Sequence, residues 1–199
     1  MRSIIVLKLV FVRNVIRVEK LNYSKACIHG RFQPFHNEHL KYFMQAFEKY
    51  NYLYIGITKP DISNISETDF LDKMYRDDPE NNIFSYEQRC KIIQSSLVES
   101  GINKDRFSFL PFDIDQIENI TLSKDIICVS NIVEIWNEHK LNKLRNAGYQ
   151  IDILYKDLLI NKMSSTTIRK LIRENDESWK QYVPSGAISI IEDILKIQK

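Results

Sequence analysis

The chain has 199 residues, 44% of them hydrophobic and 27% charged, with a formal net charge of +2. That is the length and mixture of a one-domain soluble globular protein able to bury a real core. So small a charge makes no case for nucleic acid, and Cys27, Cys90 and Cys128 stand in no disulfide or zinc spacing, which fits reduced thiols in a cytoplasmic protein.

In chain order, the apolar runs at 4–7 and 9–12 are interrupted by Lys8 and followed by Arg13 and Arg17. They are too short and too charged to span a bilayer, and no small-residue cleavage site follows. Residues 1–23 are read as an N-terminal extension, either an extra strand or helix or the result of a start codon placed too early. The remaining residues, 24–199, are read as the domain proper.

Ala26-Cys27-Ile28 reads as a buried strand. Leu40, Phe43, Met44 and Phe47 follow at helical spacing, and 52–57 reads as a second strand. Together they form a βαβ unit with parallel strands. Residues 59–84 then break the rhythm with two prolines and seven acidic residues. A plain loop is seldom that long, so the stretch is expected to be an insertion or lid. Ser85 and Gln88 form a capping box for a helix carrying Ile92, Ile93, Ser96 and Leu97, which Gly101 ends. Strands are expected at 106–112, 126–129 and 151–154, with helices at 132–146 and 185–197. The alternation predicts a Rossmann-like α/β fold, a doubly wound parallel sheet with helices on both faces. Its ligand site lies beyond the carboxyl ends of the strands.

The five glycines are scattered, so neither a P-loop nor a dinucleotide fingerprint exists. Phosphate binding must come from side chains and helix N-termini. The segment from Gly30 to His39, Gly-Arg-Phe-Gln-Pro-Phe-His-Asn-Glu-His, has that composition, and with His29 it holds three of the four histidines. His36 and His39 lie one turn apart at the positive end of a helix, where both can touch one polyphosphate. A second cluster, Met163-Ser164-Ser165-Thr166-Thr167-Ile168-Arg169, starts another helix with hydroxyls that suit N-capping or a phosphate equally. Ile168, Leu171 and Ile172 form its apolar stripe, with Arg169, Lys170 and Arg173 facing elsewhere.

The two clusters together resemble the His-x-Gly-His and Ile-Ser-x-Thr-x-Ile-Arg motifs of the nucleotidylyltransferase superfamily. Within it the chain is most similar to the archaeal-type nicotinamide mononucleotide adenylyltransferases. They share Gly-Arg-Phe-Gln-Pro, a helix opening like Phe84-Ser85-Tyr86-Glu87-Gln88-Arg89, a step similar to Ser130-Asn131, and a late Val-Pro like Val183-Pro184. Glu38 departs from the motif, which has glycine there.

The resemblance implies that Arg31, Phe32, Gln33, His36 and His39 contact ATP beside Gly30, with Ser164, Thr166 and Arg169 on its phosphates and Asn131 at the nucleotide. Trp136 could stack on a pyridine or base ring of the acceptor or simply face the core, and Asp113 or Asp115 could help place the acceptor or a magnesium ion. It further implies in-line phosphoryl chemistry with magnesium on the triphosphate, bound by oxygens and water rather than a protein cage. Small-molecule nucleotides are the expected partners, with no nucleic acid or membrane, in a homo-oligomer. A cytidylyltransferase acting on a phospho-sugar or phospho-polyol stays open, as does a nucleotide-binding protein of weak activity.

Overall fold

The computed structural model describes residues 6–12, 15–21, 24–58, 78–132, 135–156 and 164–197, with side chains described for 24–58, 78–131, 140–154 and 164–197. Within the N-terminal extension, β1 (Val6–Val12) and β2 (Val15–Leu21) pair antiparallel as a separate two-stranded sheet. Of the strand or helix left open by the sequence, the strand is realised.

Five parallel strands follow: β3 (Lys25–Gly30), β4 (Tyr52–Ile57), β5 (Phe107–Pro111), β6 (Ile127–Ile132) and β7 (Ile151–Lys156). Their order across the sheet is β5-β4-β3-β6-β7. The chain therefore moves outward from β3 through β4 to β5, then returns to β6 on the other side of β3. That reversal makes the carboxyl ends of β3 and β6 the switch point, the place where such sheets hold a ligand.

Helices α1 (Asn37–Lys49), α2 (Tyr86–Glu99), α3 (Ile135–Asn146), α4 (Ser165–Arg173) and α5 (Ser185–Ile197) complete the fold. Strand alternation divides the core. Ala26, Ile28, Leu53, Ile55 and Ile57 pack with Phe43, Phe47, Ile92, Ile93, Ile168 and Ile191 on one face. Cys27, Cys128 and Phe112 pack with Leu144 and Tyr149 on the other. Helices thus cover both faces, as the sequence pattern predicts.

The capping box of α2 forms as expected: Ser85 Oγ accepts from the Gln88 N–H at 3.2 Å, and Gln88 Oε1 accepts from the Ser85 N–H at 2.8 Å. The helix after β6 starts at Ile135 rather than near 132, because β6 itself runs on to Ile132 past a register irregularity beside β7. Of the segment read as an insertion, 59–77 lies outside the described residues. Its last part is not a solvated loop: Pro79–Asn81 form a helical turn, and Asn81, Asn82 and Phe84 are buried. No described helix is long and apolar enough to cross a membrane.

Candidate active site

The loop after β3 is shaped from within. Phe32 has a positive φ of 53°, a region costly for a bulky residue, and its ring folds back over Gly30. A Cβ on Gly30 would lie 2.7 Å from that ring, so only glycine fits. Phe32, Phe35 and Phe43 meet edge to face, and His39 joins the cluster, 5.1 Å from Phe32 and 5.6 Å from Phe35. These contacts set the direction from which α1 leaves the sheet.

His36 is the N-cap of α1. Its ring stacks on that of His39 with centroids 3.7 Å apart, and its backbone N–H donates to His39 Nδ1 at 3.3 Å. That bond fixes the tautomer of neutral His39, whose proton must sit on Nε2. The Nε2–H is left as a donor at the helix N-terminus. Burial pushes His36 down to about 4. His39 is also well below the usual histidine range, through burial first and the neighbouring His36 second.

At pH 7 both rings are therefore neutral. Each binds protons more weakly folded than unfolded, so their contribution to stability is complete above about pH 6.5 and is lost as pH falls toward 4. His36 alone accounts for about 2 kcal/mol at pH 5. Urea denaturation is expected to show at least that loss between pH 7.5 and pH 5, and equal stabilities would contradict the buried neutral pair.

The second cluster closes on the first. Ser164 caps α4, its Oγ accepting from the Thr167 N–H at 3.2 Å. Ser165 Oγ donates to Pro34 O at 3.3 Å, and Arg169 donates to Gln33 O at 2.7 Å. The helix start carrying the hydroxyls is thereby fastened to the histidine loop. Ser164 and Thr166 are exposed.

Arg169 differs from its expectation. It does not face away from the apolar stripe: it is fully buried, donating also to Asn81 Oδ1 at 2.9 Å and Thr166 Oγ1 at 3.2 Å. A guanidinium whose two terminal nitrogens bond the histidine loop, the 78–84 segment and its own helix acts as a brace. Gln33 likewise turns inward. Its Nε2 donates to Phe84 O at 2.7 Å and its Oε1 accepts from the Phe84 N–H at 3.0 Å, the pattern of a strand partner. Phe32, Gln33 and Arg169, expected to touch ATP, thus have internal partners that hold the loop.

Arg89 was missed as a site-building residue. It lies almost wholly buried beneath the loop and donates to Arg31 O at 2.9 Å and Thr58 O at 2.8 Å, tying the ends of β3 and β4 together. Burial lowers it to about 10 without discharging it at neutral pH. Its signal was legible, an arginine on the same helical stripe as Ile92, Ile93 and Ser96. Tyr42, whose hydroxyl donates to Val129 O at 2.8 Å, and Asn81 gave no such signal.

Arg31 is half-buried at the loop's opening. Asn131 is half-buried near the carboxyl end of β6, the strand next to β3, and Ser130 Oγ donates to its carbonyl at 3.1 Å. Asp113 lies further off, beyond edge strand β5, its Oδ1 accepting from the Asp115 N–H at 2.9 Å. Asp115 pairs with Lys143 at 3.1 Å. Trp136 falls in the first turn of α3, but its side chain lies outside the described residues.

A parallel sheet with this strand order, a histidine pair opening the helix after its central strand, and a hydroxyl-capped helix bound to the same loop define a nucleotidylyltransferase-type site. The chain belongs to the cytidylyltransferase-like family, whose model matches residues 27–171. It is 30% identical to a nicotinamide-nucleotide adenylyltransferase of Sulfolobus acidocaldarius, over 85% of this chain and 90% of that one. It is 26% identical to the phosphonoformate cytidylyltransferase of Streptomyces viridochromogenes, over 83% of this chain and 89% of that one. Among solved structures it is similar to a bifunctional NMN adenylyltransferase/ADP ribose pyrophosphatase from Francisella tularensis complexed with AMP and a Mn ion. That match has a TM-score of 0.61 and 18% identity, over 88% of this chain. The chain spans about half the length of that structure, 51%.

Proposed function

We propose that this chain is a nucleotidylyltransferase that transfers an adenylyl group from ATP to a phosphorylated acceptor, most specifically nicotinamide mononucleotide to give NAD, with release of pyrophosphate. The observation that carries the reading is the joining of the two clusters, Ser165 to Pro34 and Arg169 to Gln33, at the carboxyl end of the central strand. Similarity to the Sulfolobus acidocaldarius adenylyltransferase along most of both chains supports the substrate pair.

An acceptor phosphate oxygen attacks the α-phosphorus in line, the bond from that phosphorus to the bridging oxygen breaks, and pyrophosphate leaves with that oxygen. No side-chain nucleophile is needed, so the protein's work is alignment and charge stabilisation. His39 Nε2–H and the first turn of α1 offer donors on one side. Ser164, Thr166 and the N-terminus of α4 offer hydroxyls and backbone N–H groups on the other. Arg31 supplies the cationic arm. Gln33, Arg89 and Arg169 hold the frame, Asn131 lies on the nucleotide side, and Asp113 and Trp136 are assigned to the acceptor.

Among the described residues no group of three or more His, Cys, Asp or Glu is arranged to hold a metal. In this reading a magnesium ion would accompany the triphosphate, held by phosphate oxygens and water, where it would neutralise charge. The reading places the enzyme in the cytoplasm as a homo-oligomer, with residues 24–199 as its catalytic domain.

Incubation with magnesium, each nucleoside triphosphate and a panel of phosphorylated acceptors, followed by pyrophosphate release and product mass, tests the reading. Dinucleotide from ATP and nicotinamide mononucleotide supports it. Product only from CTP with phosphonoformate, a phospho-sugar or a phospho-polyol would move the chain to the cytidylyl side of the family, and binding without pyrophosphate release would make it a nucleotide-binding protein. Glu38, in the first turn of α1, suits the helix dipole but sets a carboxylate near the expected anion. Glu38→Gly is expected to retain or raise kcat/KM for the triphosphate, and a large loss of turnover would show that the carboxylate is needed.

A further inference from the structure

His29 stands one residue before Gly30 and has no part in the loop just described. Strand alternation turns Ala26, Ile28 and Gly30 to one face of the sheet and Cys27 and His29 to the other. There the imidazole lies against Phe112, with centroids 4.6 Å apart and planes 25° from parallel. Phe112 reaches that position because Gly56, the β4 residue paired with His29, is bare: a Cβ on Gly56 would lie 2.7 Å from the phenyl ring. Residues of β3 and β4 and the one after β5 thus build a fixed bed for one imidazole at the carboxyl edge of the sheet.

His29 is 5% exposed, and among the described residues neither Nδ1 nor Nε2 has a hydrogen-bond partner. Packing on Phe112 does not call for an imidazole, since a phenyl ring fills such a place without two unsatisfied nitrogens. Leaving a buried polar atom without a hydrogen bond is costly. Burial first, and the Lys140 ammonium of α3 second, keep the ring neutral. A neutral imidazole offers one N–H and one lone pair. The N–H suits a carbonyl-type oxygen, whereas a phosphate dianion is served by the donors and cation on the loop side. The ammonium adds positive potential, which favours an oxygen as the group that arrives. Asp113, assigned to the acceptor, directly follows Phe112 in the chain.

We infer that His29 is a specificity residue for the acceptor, its ring N–H donating to a carboxamide or carboxylate oxygen while the buried Phe112 ring holds the imidazole in place. This rests on the transferase reading of the site. Three acceptors test it with ATP and magnesium: nicotinamide mononucleotide, its analogue with a carboxylate in place of the carboxamide, and its analogue with hydrogen there.

The wild-type protein is expected to prefer one of the first two over the third by about tenfold or more in kcat/KM, and the better of the two identifies the group. In His29→Phe, which keeps a ring on Phe112, that preference is expected to fall below about threefold through a higher acceptor KM, with the KM for ATP within about twofold. His29→Asn retains a donor and should recover part of the preference. Wild-type turnover that is equal on all three acceptors overturns the inference while leaving the transferase reading intact. So does a His29→Phe enzyme with undiminished preference. No pyrophosphate from any of the three overturns both. Should His29→Phe fail to fold, the wild-type comparison and His29→Asn still decide.

Discussion

Replacing His39 with alanine is expected to lower turnover by about two to four orders of magnitude, the scale of removing a positioned donor from a phosphoryl-transfer site. His39 holds a fixed tautomer because its Nδ1 accepts from the His36 N–H, which leaves Nε2–H for the ligand. The ring also packs on Phe32, Phe35 and His36, so alanine will cost stability as well, about 1–2 kcal/mol. His39→Asn separates the two effects. Its side-chain oxygen can still accept from His36, but it places no donor where Nε2–H lies. It should melt close to wild type and turn over as poorly as alanine. A near-wild-type rate in either variant would remove His39 from the mechanism.

Arg169→Lys is expected to be nearly as damaging as Arg169→Met, for a different reason. The guanidinium reaches Gln33 O, Asn81 Oδ1 and Thr166 Oγ1 from a fully buried position. Lysine cannot reproduce that planar fork, and either variant leaves buried acceptors unpaired. The expected loss is about 3 kcal/mol of stability, accompanied by loss of activity, because the brace joins the histidine loop, the 78–84 segment and α4. Denaturation of both variants beside Ser164→Ala makes the comparison. The serine variant loses only an exposed cap, typically about 1 kcal/mol. If Arg169→Lys melts like wild type and only its KM for ATP rises, Arg169 is a phosphate contact and not a brace.

The difference between these residues shows how far the sequence could be read. His36, His39 and the Ser164 cap are local features. They depend on being at a helix start, and a helix start is legible from spacing and capping residues. The alternation of strands and helices and the switch-point geometry were legible for the same reason, since periods of 2 and 3.6 are properties of short stretches. Arg169 looked like a member of a polar helix face because its immediate neighbours Lys170 and Arg173 are polar. It is buried because acceptors far off in the chain, Gln33 and Asn81, come to meet it. Residues 78–84 looked like the end of an acidic excursion because Asp78 and Glu80 lie among them and Asp77 just before. They fold inward because Gln33 offers Phe84 a complete peptide-like partner.

What the sequence determined by itself is the class of fold and the two clusters that belong to one site, including Glu38 as the departure within the first. Those depend on residue type and spacing, which a linear chain displays. Only the tertiary structure decided which members of the clusters face a ligand and which hold the frame. It also set His29, Gly56 and Phe112, from three places in the chain, into a single bed. Burial and hydrogen-bond partnership depend on segments brought together from 50 or more residues apart, as Gln33 with Phe84 and Arg169 with Gln33 are, and no local pattern encodes that meeting.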